Sequence, residues 1–314
     1  MDAAPPARVP ELFPGFRVER HAHQGVSIHA RVGGGGPPLL LLHGFPQTHA
    51  IWHRVAPALA ARFTLVLPDL RGYGDSDKPA TTADHAPYSK RAMAADMRAL
   101  MQFLGHERFY VCGHDRGGRV AHRLALDAPE AVAALMLLDI SPTRTMYERT
   151  TMDFARAYYH WFFLIQPAPL PERLIGADPL FYLRAKTGGW GSAGHDFFDP
   201  RAYAEYERCF TPAAIHAMCE DYRAAASIDL EHDRADAAAR IRCPLRVLWG
   251  EHGVVHRHFA PIADWQEKAA LPVTGRALPS GHYIPEQVPE LLAADMIEFF
   301  APALPDAAHR SARA

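Results

Sequence analysis

Short apolar runs alternate with amphipathic stretches along most of this sequence. The runs at 38–43 and 64–70, PLLLLH and TLVLPDL, are typical of strands that are buried on both faces. The stretches between such runs repeat apolar residues at helical intervals. Strands that alternate with helices predict an α/β fold, with a mainly parallel sheet covered by helices on both faces. The predicted strands are 16–19, 26–32, 38–43, 64–70, 109–112, 133–140, 245–249 and 276–278, and the predicted helices are 52–62, 90–104, 119–127 and 285–300.

The alternation is interrupted between about Ser141 and Arg240. This segment is rich in Tyr, Trp, Phe and Arg, contains several prolines and has helical spacing. We interpret it as a helical cap, or lid, that is inserted into the sheet domain. The expected domains are a core of residues 11–141 and 241–302 and a cap of residues 142–240, with flexible tails at 1–10 and 303–314.

The composition argues against several classes of protein. The 314 residues are 49% hydrophobic and 22% charged, as in ordinary globular proteins, and the formal net charge is −2. A nearly neutral chain gives no electrostatic basis for binding nucleic acid or an anionic membrane. No apolar run reaches the roughly 18 residues of a membrane-spanning helix, and the first residues lack the apolar centre of a secretory signal. The four cysteines form no C-x-x-C pair, so we expect a cytoplasmic protein.

The most specific local feature is the sequence GHDRGG at residues 113–118, which follows a predicted strand and precedes a predicted helix. This is the context of a nucleophile elbow, with Asp115 in the position that serine usually occupies. The glycines allow a cramped turn, and the helix N-terminus favours the ionised carboxylate. The alternative, a simple helix cap, would not require three glycines. A carboxylate nucleophile suits displacement at a saturated carbon, which leaves an ester that water must hydrolyse.

The hydrolysis of such an ester requires a base. His282, in the sequence SGH after the last predicted strand, occupies the position of the hydrolase histidine and is the candidate. Its acidic partner has two possible positions. Asp139 ends the strand that follows the nucleophile, whereas Glu251 follows the next-to-last strand. We favour Asp139, because a carboxylate beside the nucleophile strand can fix the imidazole tautomer, and keep Glu251 as a weaker alternative.

Backbone and side-chain groups near Asp115 suggest how charge is stabilised. The backbone N–H groups of Phe45, in HGFP, and of Arg116 are candidates for an oxyanion hole. Arg116 and Arg119 lie three residues apart, on one face of the predicted helix and next to the nucleophile. Two guanidinium groups at a helix N-terminus predict an anionic substrate. The alternative is that the two arginines bond carboxylates of the cap.

The cap contains polar aromatic residues in the sequences AYYHWFF at 157–163 and CEDYR at 219–223. Such residues are usually core packing, but buried His, Trp and Tyr side chains also carry donors that need acceptors. Three such donors could bind a departing halide, most usefully fluoride, because it is a poor leaving group. A metal site in the loop that carries three imidazoles is disfavoured, because no carboxylate or cysteine set completes it. Those imidazoles, which we expect in a solvated loop, are His252, His256 and His258.

With these motifs in view, the sequence resembles the fluoroacetate dehalogenases, which are α/β-hydrolases with a cap. The resemblance runs from about Phe16 to Phe300, and its most specific parts are GHDRGGR at 113–119 and YYHWFF at 158–163. Other matching segments are HGFPQ, DLRGYGDSDKP, LLDISPT, QPAPLPERLIGADP, DYRAAASIDLEHD and SGHYIPE.

The resemblance implies a reaction and a role for each matched position. The implied reaction converts a haloacetate and water to glycolate and halide, needs neither cofactor nor metal, and is carried out by a homodimer. The implied roles are Asp115 as nucleophile with Asp139 and His282 as partners, Arg116 and Arg119 as carboxylate ligands, His160, Trp161 and Tyr222 as halide ligands, and Trp190 as a pocket residue.

Two other functions remain open. An epoxide hydrolase would share the Asp115 nucleophile and would protonate the epoxide with two cap tyrosines, Tyr222 and either Tyr158 or Tyr159. The arginine pair argues against that reaction, because an epoxide carries no carboxylate. A non-catalytic receptor on the same fold is the less favoured alternative, since the full set of catalytic residue types is present.

Overall fold

The computed structural model of the chain describes residues 11–192 and 194–301. Its centre is one eight-stranded sheet with the strand order β1-β2-β4-β3-β5-β6-β7-β8. β2 pairs antiparallel with β1 and β4, and all other neighbours are parallel. The mainly parallel sheet is therefore confirmed, whereas the predicted tails at 1–10 and 303–314 lie outside the described residues. The strands are β1 Arg17–His23, β2 Val26–Gly34, β3 Pro38–Leu42, β4 Thr64–Pro68, β5 Phe109–His114, β6 Val132–Leu138, β7 Leu245–Gly250 and β8 Thr274–Leu278.

The central strands are buried on both faces, as their continuous apolar runs predict. Leu40 and Val66 face one apolar core, while their neighbours Leu39 and Leu65 face the other. This separation follows from the alternation of side chains along a strand. The two cores fix the sheet between its helical layers, so the carboxyl ends of the parallel strands form a stable platform.

β1 differs most from its prediction, because it extends to His23 rather than ending at residue 19. It is an edge strand whose side chains are mostly exposed, so no apolar run marks its length. A two-residue turn joins it to β2, with φ of 49° at Gln24 and 79° at Gly25. Positive φ at both turn positions matches the twist of the flanking strands and sets their register.

The bounds of three predicted helices differ from those in the structure. The predicted helix at 52–62 is a 3-10 turn at His49–Trp52 followed by a short helix, α1, at Ala56–Ala60. The predicted helix at 285–300 is broken at Val288 into two helices, because Pro289 lacks the N–H that a continuous helix needs. The predicted helix at 119–127 begins earlier, at Arg116. The helices outside the cap segment are α1, α2 Lys90–Phe103, α3 Arg116–Asp127, α12 Val254–His258, α13 Pro261–Gln266, α14 Ile284–Gln287 and α15 Pro289–Phe300.

Between β6 and β7 the described residues form helices and no strand. Several of these helices contact the sheet and its flanking helices directly, and two hydrogen bonds are examples. The Tyr206 hydroxyl donates to Glu286 Oε1 at 2.5 Å, and the Tyr73 hydroxyl donates to Asp221 Oδ2 at 2.7 Å. No helix within the described ranges is long and apolar enough to cross a bilayer. The helices of this segment are α4 Thr143–Glu148, α5 Met152–Ala157, α6 Tyr159–Phe163, α7 Leu170–Gly176, α8 Pro179–Thr187, α9 Pro200–Cys209, α10 Pro212–Ala226 and α11 Ile228–Ala235.

Candidate active site

Asp115 lies at the sharp turn between β5 and α3, with φ 47° and ψ −115°. This is a strained backbone conformation for a residue with a side chain. The turn closes only because its neighbours are glycines. A Cβ atom on Gly117 would lie 2.4 Å from the His43 carbonyl oxygen, and one on Gly113 would lie 2.5 Å from the Gly117 carbonyl oxygen. The geometry is that of a strand-to-helix elbow that presents the carboxylate.

The Asp115 carboxylate is buried but held in its charged form. Burial alone would raise the pKa of Asp115, but its electrostatic interactions with His282, Arg116 and Arg119 bring it below its ordinary value. Oδ1 accepts a hydrogen bond from the backbone N–H of Phe45 at 2.9 Å. The N–H of Arg116 is the first of α3, so it has no partner within the helix. The predicted oxyanion donors therefore flank this carboxylate.

His282 and Asp139 are in direct contact. Nδ1 of His282 donates to Asp139 Oδ2 at 2.6 Å, and Asp139 Oδ1 accepts from the backbone N–H of Gly250 at 3.0 Å. Both side chains are buried. The alternative acid, Glu251, is exposed and pairs with His252 at 3.4 Å instead. The structure thus brings His282 together with Asp139, and a carboxylate on Nδ1 leaves Nε2 as the basic nitrogen.

Two residues position His282 through its backbone. Nε2 of His114 donates to the His282 carbonyl oxygen at 2.8 Å, and the His282 N–H donates to the Trp190 carbonyl oxygen at 3.1 Å. Burial lowers the pKa of His114 to about 3, so it acts as a neutral donor. Sequence analysis assigned no role to His114, although a polar residue in a fully buried strand needs a partner. The Trp190 ring lies 4.7 Å from that of His160 and 5.1 Å from that of His282, which places Trp190 beside the base.

Arg116 is bound by a carboxylate from the helical segment. Its Nε and Nη2 donate to the carboxylate of Asp221 at 2.9 and 2.7 Å. Asp221 also contacts the ammonium of Lys90 and accepts from Tyr73. Two of its nitrogens therefore bond a carboxylate of the segment at 142–240, which is the kind of contact that the alternative for this arginine predicts. The third, Nη1, is buried and has no hydrogen-bond partner in the described parts of the chain.

Arg119 has no acidic partner within 4.0 Å among residues 11–192 and 194–301. Its Nη1 donates to the Ser141 carbonyl oxygen at 3.2 Å and to Thr143 Oγ1 at 2.8 Å, and its Nη2 lies 3.3 Å from Met146 Sδ. Its Nε is buried without a described partner. Arg116 and Arg119 thus each keep one free donor, which is the arrangement that a bound carboxylate would complete.

The three predicted halide ligands also carry free donors. The His160 Nδ1, the Trp161 indole N–H and the Tyr222 hydroxyl are all buried, and none has a hydrogen-bond partner in the described structure. The rings of His160 and Tyr222 lie 5.6 Å apart, and those of Trp161 and Tyr222 lie 6.4 Å apart. Burial lowers the pKa of His160 well below its ordinary value, which leaves it neutral. Unpaired buried donors are costly, so three together indicate a site for an acceptor.

The side chains of His160, Trp161 and Tyr222, here called the three-donor cluster, also contact the arginine pair. The guanidinium carbon of Arg116 lies 4.2 Å from the Tyr222 ring centroid, and that of Arg119 lies 4.7 Å from the Trp161 ring centroid. Cation–π contacts of this kind keep the arginine side chains extended against the rings. The arginine pair and the polar aromatic residues therefore contact one another beside Asp115.

Of the two neighbouring tyrosines in α6 and its N-terminal junction, only Tyr158 is buried near Asp115 and Asp139. Burial and the nearby carboxylates of Asp139 and Asp115 raise the pKa of Tyr158 well above its ordinary value. Its ring lies 5.6 Å from that of Trp190. Tyr159 is 45% exposed and packs on the outside of the segment. An epoxide-protonating pair would therefore use Tyr158 with Tyr222.

The imidazoles at 252, 256 and 258 form no common centre in the described chain. Nδ1 of His256 accepts from the indole N–H of Trp249 at 3.0 Å, and His252 is exposed. Sequence analysis missed a different cluster of possible ligands, whose atoms already hydrogen-bond to one another. Within residues 11–192 and 194–301, this single candidate set consists of His29, His49 and Asp69.

The sheet order and the strand–turn–helix that presents Asp115 define an α/β hydrolase. A family model described as alpha/beta hydrolase fold matches residues 37–228, and the chain belongs to this family. The chain is 47% identical over 293 residues to a fluoroacetate dehalogenase from Burkholderia sp, covering 93% of this chain and 96% of that protein.

Two further proteins are similar to this chain over most of its length. A soluble epoxide hydrolase from Corynebacterium sp. (strain C12) is 35% identical over 285 residues, covering 88% of this chain and 95% of that one. The crystal structure of an α/β hydrolase from Nostoc sp PCC 7120 superposes with a TM-score of 0.89 at 54% identity, covering 91% of this chain and 98% of that one. Full-length similarity thus extends to proteins named for two different reactions.

Proposed function

We propose that this protein is a hydrolytic dehalogenase of short 2-haloacids, which converts a haloacetate and water to glycolate and halide. The observation that carries the proposal is the set of five unpaired buried donors around the Asp115 carboxylate. Two belong to arginines and suit a carboxylate, while three belong to neutral side chains and suit a halide. The similarity to the Burkholderia fluoroacetate dehalogenase supports the same reaction.

In the first step, an Asp115 oxygen attacks the carbon that carries the halogen. A carbon–oxygen bond forms, the carbon–halogen bond breaks, and the halide leaves with the bonding electron pair. Arg116 Nη1 and Arg119 Nε hold the substrate carboxylate and cancel its repulsion from Asp115. The three-donor cluster of His160, Trp161 and Tyr222 stabilises the charge that develops on the halogen.

In the second step, His282 removes a proton from water, and the resulting hydroxide attacks the ester carbonyl of Asp115. Asp139 stabilises the imidazolium through its 2.6 Å hydrogen bond. The Phe45 N–H already donates to an Asp115 oxygen, so it is in place for the oxyanion of the tetrahedral intermediate. Collapse releases glycolate, whose hydroxyl oxygen takes the proton from His282, and Asp115 gives up one proton to solvent as its carboxylate is regenerated. Water is the only co-reactant of either step.

The direct test is to incubate the purified protein with fluoroacetate and with chloroacetate, and to measure halide by ion-selective electrode and glycolate by chromatography. Equal amounts of halide and glycolate are expected, and Asp115→Asn should abolish both. Single turnover in isotopically labelled water should leave the first glycolate unlabelled, because its new oxygen comes from Asp115. Labelled glycolate in that first turnover would overturn the covalent mechanism.

Epoxide hydrolysis is a second candidate, favoured by the two tyrosines that lie near Asp115. The Asp115 charge raises the pKa of both Tyr158 and Tyr222, after the larger effect of burial, so both hydroxyls are close to the nucleophile. The arginine pair argues against a neutral substrate. Diol formation from a neutral terminal epoxide, without halide release from any haloacetate, would replace the first proposal with this one.

We also propose that residues 142–240 are a cap domain on a core of residues 11–141 and 241–302, and that the protein works as a cytoplasmic homodimer. The four cysteines are free and buried, which suits a reducing compartment. Helices α7 and α8 expose apolar side chains, with Leu174 at 59% and Phe181 at 70%. Light scattering should give the dimer mass, and Leu174→Glu with Phe181→Glu should give the monomer. A wild-type monomer would refute the dimer.

A further inference from the structure

Lys186, on α8, has a buried ammonium that none of the steps above uses. Its side chain is only 4% exposed. Within the described chain no Asp or Glu oxygen lies within 4.0 Å of its Nζ atom. The Nζ atom instead faces aromatic rings, at 3.7 Å from the centroid of Tyr159, 5.6 Å from Tyr182 and 5.7 Å from Trp190.

A buried ammonium without a carboxylate is unusual. Desolvation of a cation is costly, and contacts with aromatic faces offset only part of the cost. The other buried lysine, Lys90, is compensated by Asp221 and Asp229. Burial lowers the pKa of Lys186 to about 8, in line with its lack of an anionic partner. An anion that binds from solution would offset the desolvation cost of the Lys186 ammonium.

Lys186 lies between the three-donor cluster and the outside of the protein. On the inner side, its ammonium lies 5.7 Å from the Trp190 ring centroid, and the Trp190 ring in turn lies 4.7 Å from that of His160. Burial lowers the pKa of His160, and the charge of Lys186 lowers it further, with the largest effect of any charged group. On the outer side, its ammonium contacts Tyr159, which is partly exposed to solvent. Lys186 therefore places a positive charge next to rings that contact the three-donor cluster on one side and solvent on the other.

We propose that Lys186 is a second anion-binding group at the outer side of the three-donor cluster, where it attracts haloacid anions and receives the departing halide. The proposal rests on the proposed function of this site. An ammonium is a compact point charge with three donors, which suits a spherical halide better than a guanidinium fork does. The surrounding rings provide no acceptor oxygen within contact distance of Nζ that would compete, so the charge is directed toward a mobile anion.

Bromide binding to the resting enzyme tests this without turnover. Bromide is titrated into wild-type protein while the fluorescence of Trp161 and Trp190 is followed. Lys186→Met and Lys186→Gln should each bind bromide about five to ten times more weakly, which is the size of effect expected for a charge a few ångströms from a partly screened site. Lys186→Arg, which keeps the charge, should stay within about twofold of the wild type.

A matched control removes the same charge elsewhere. Lys268→Met, on the surface beside Asp233 and Asp236, should bind bromide like the wild type. The kcat/KM for chloroacetate should fall in the two neutral Lys186 variants by about the same factor as bromide affinity, because both depend on one charge. Melting temperatures identify any variant that fails to fold. If either Lys186→Met or Lys186→Gln fails to fold, the other still tests the loss of the charge.

Unchanged bromide affinity in a folded neutral variant would overturn the assignment of Lys186, and so would an equal loss in Lys186→Arg. Either result leaves the dehalogenase proposal standing if the wild type still releases halide from haloacetate. A wild type that binds bromide through Lys186 but releases no halide would instead overturn the proposed reaction while supporting the anion site.

Discussion

The carboxylate of Asp221 accepts two hydrogen bonds from the guanidinium of Arg116, at 2.9 and 2.7 Å, and both side chains are fully buried. Asp221 precedes Tyr222 in α10. Consecutive residues of one helix therefore orient the predicted carboxylate ligand and supply a predicted halide donor. The helical segment therefore contributes to both of the proposed subsites beside Asp115.

Asp221→Asn should damage substrate binding more than chemistry. The variant leaves Arg116 and Lys90 buried with less compensating charge, so we expect a loss of about 3–5 kcal/mol in the free energy of unfolding. Arg116 also loses the partner that directs its Nη1, so the KM for chloroacetate should rise about tenfold while kcat falls less. Steady-state kinetics and denaturant unfolding measure both effects.

Asp233→Asn is the matched control, because Asp233 of α11 pairs with Arg123 of α3 at 2.9 Å, just as Asp221 of α10 pairs with Arg116 of α3. It should lower stability slightly and leave KM unchanged. If Asp221→Asn and Asp233→Asn had the same KM as the wild type, Asp221 would be a structural residue only.

His282→Asn should stop the reaction after the first step. Asn cannot take a proton from water, so the ester on Asp115 accumulates. Mass spectrometry after exposure to chloroacetate should show one added carboxymethyl group on the peptide that contains Asp115. Asp139→Asn is the comparison, because it retains the base and should still turn over slowly. Absence of an adduct at saturating chloroacetate would argue for the receptor alternative.

Most strands, and the positions of Asp115 and Asp139 at the ends of neighbouring strands, could be predicted because each depends on a local signal. β3 and β4 are apolar on both faces, and the glycines around Asp115 mark the elbow in sequence. The choice of Asp139 over Glu251 followed from which strand neighbours the nucleophile strand. These features depend on a few consecutive residues and on the strand order of a parallel sheet.

The partners of the site residues were not predictable in the same way. Arg116 and Asp221 are 105 residues apart, and no spacing rule connects them. The backbone support of His282 by His114 and the uncompensated ammonium of Lys186 likewise depend on tertiary packing. The break at Val288 was missed for a different reason, since its apolar periodicity continues through Pro289.

Loss of a single donor in the three-donor cluster should matter most for fluoride. Trp161→Phe removes the indole N–H and keeps an aromatic ring, while His160→Ala removes both ring and donor. We expect turnover of fluoroacetate to fall about a hundredfold, and turnover of bromoacetate to fall about tenfold or less, because bromide needs less stabilisation as it leaves. Initial rates with fluoroacetate, chloroacetate and bromoacetate measure this. Equal losses for all three substrates would contradict a role on the leaving group.

Glu286 predicts a pH dependence of stability that is separate from catalysis. Its side chain is fully buried between the sheet domain and α9, where Oε1 accepts from Tyr206. Oε2 has no hydrogen-bond partner in the described chain and lies 3.8 Å from Nδ1 of His53. Burial raises the pKa of Glu286 from 4.5 to about 8. The folded protein thus keeps a proton that the unfolded chain releases, so this stabilising contribution is full below pH 4.5 and is lost as the pH rises to about 8.

Glu286→Gln should remove that dependence, because Gln stays neutral and still offers an oxygen to the Tyr206 hydroxyl. The melting temperature of the wild type should fall more steeply than that of the variant between about pH 5 and 8, and the variant should be the more stable protein above about pH 8. Glu290→Gln, at an exposed carboxylate on α15, is the control and should follow the wild type. The melting temperatures of wild type and Glu286→Gln could instead change with pH in the same way. That result would mean that Glu286 is already ionised in the folded state, so that a buried carboxylate rather than a protonated carboxyl contacts Tyr206.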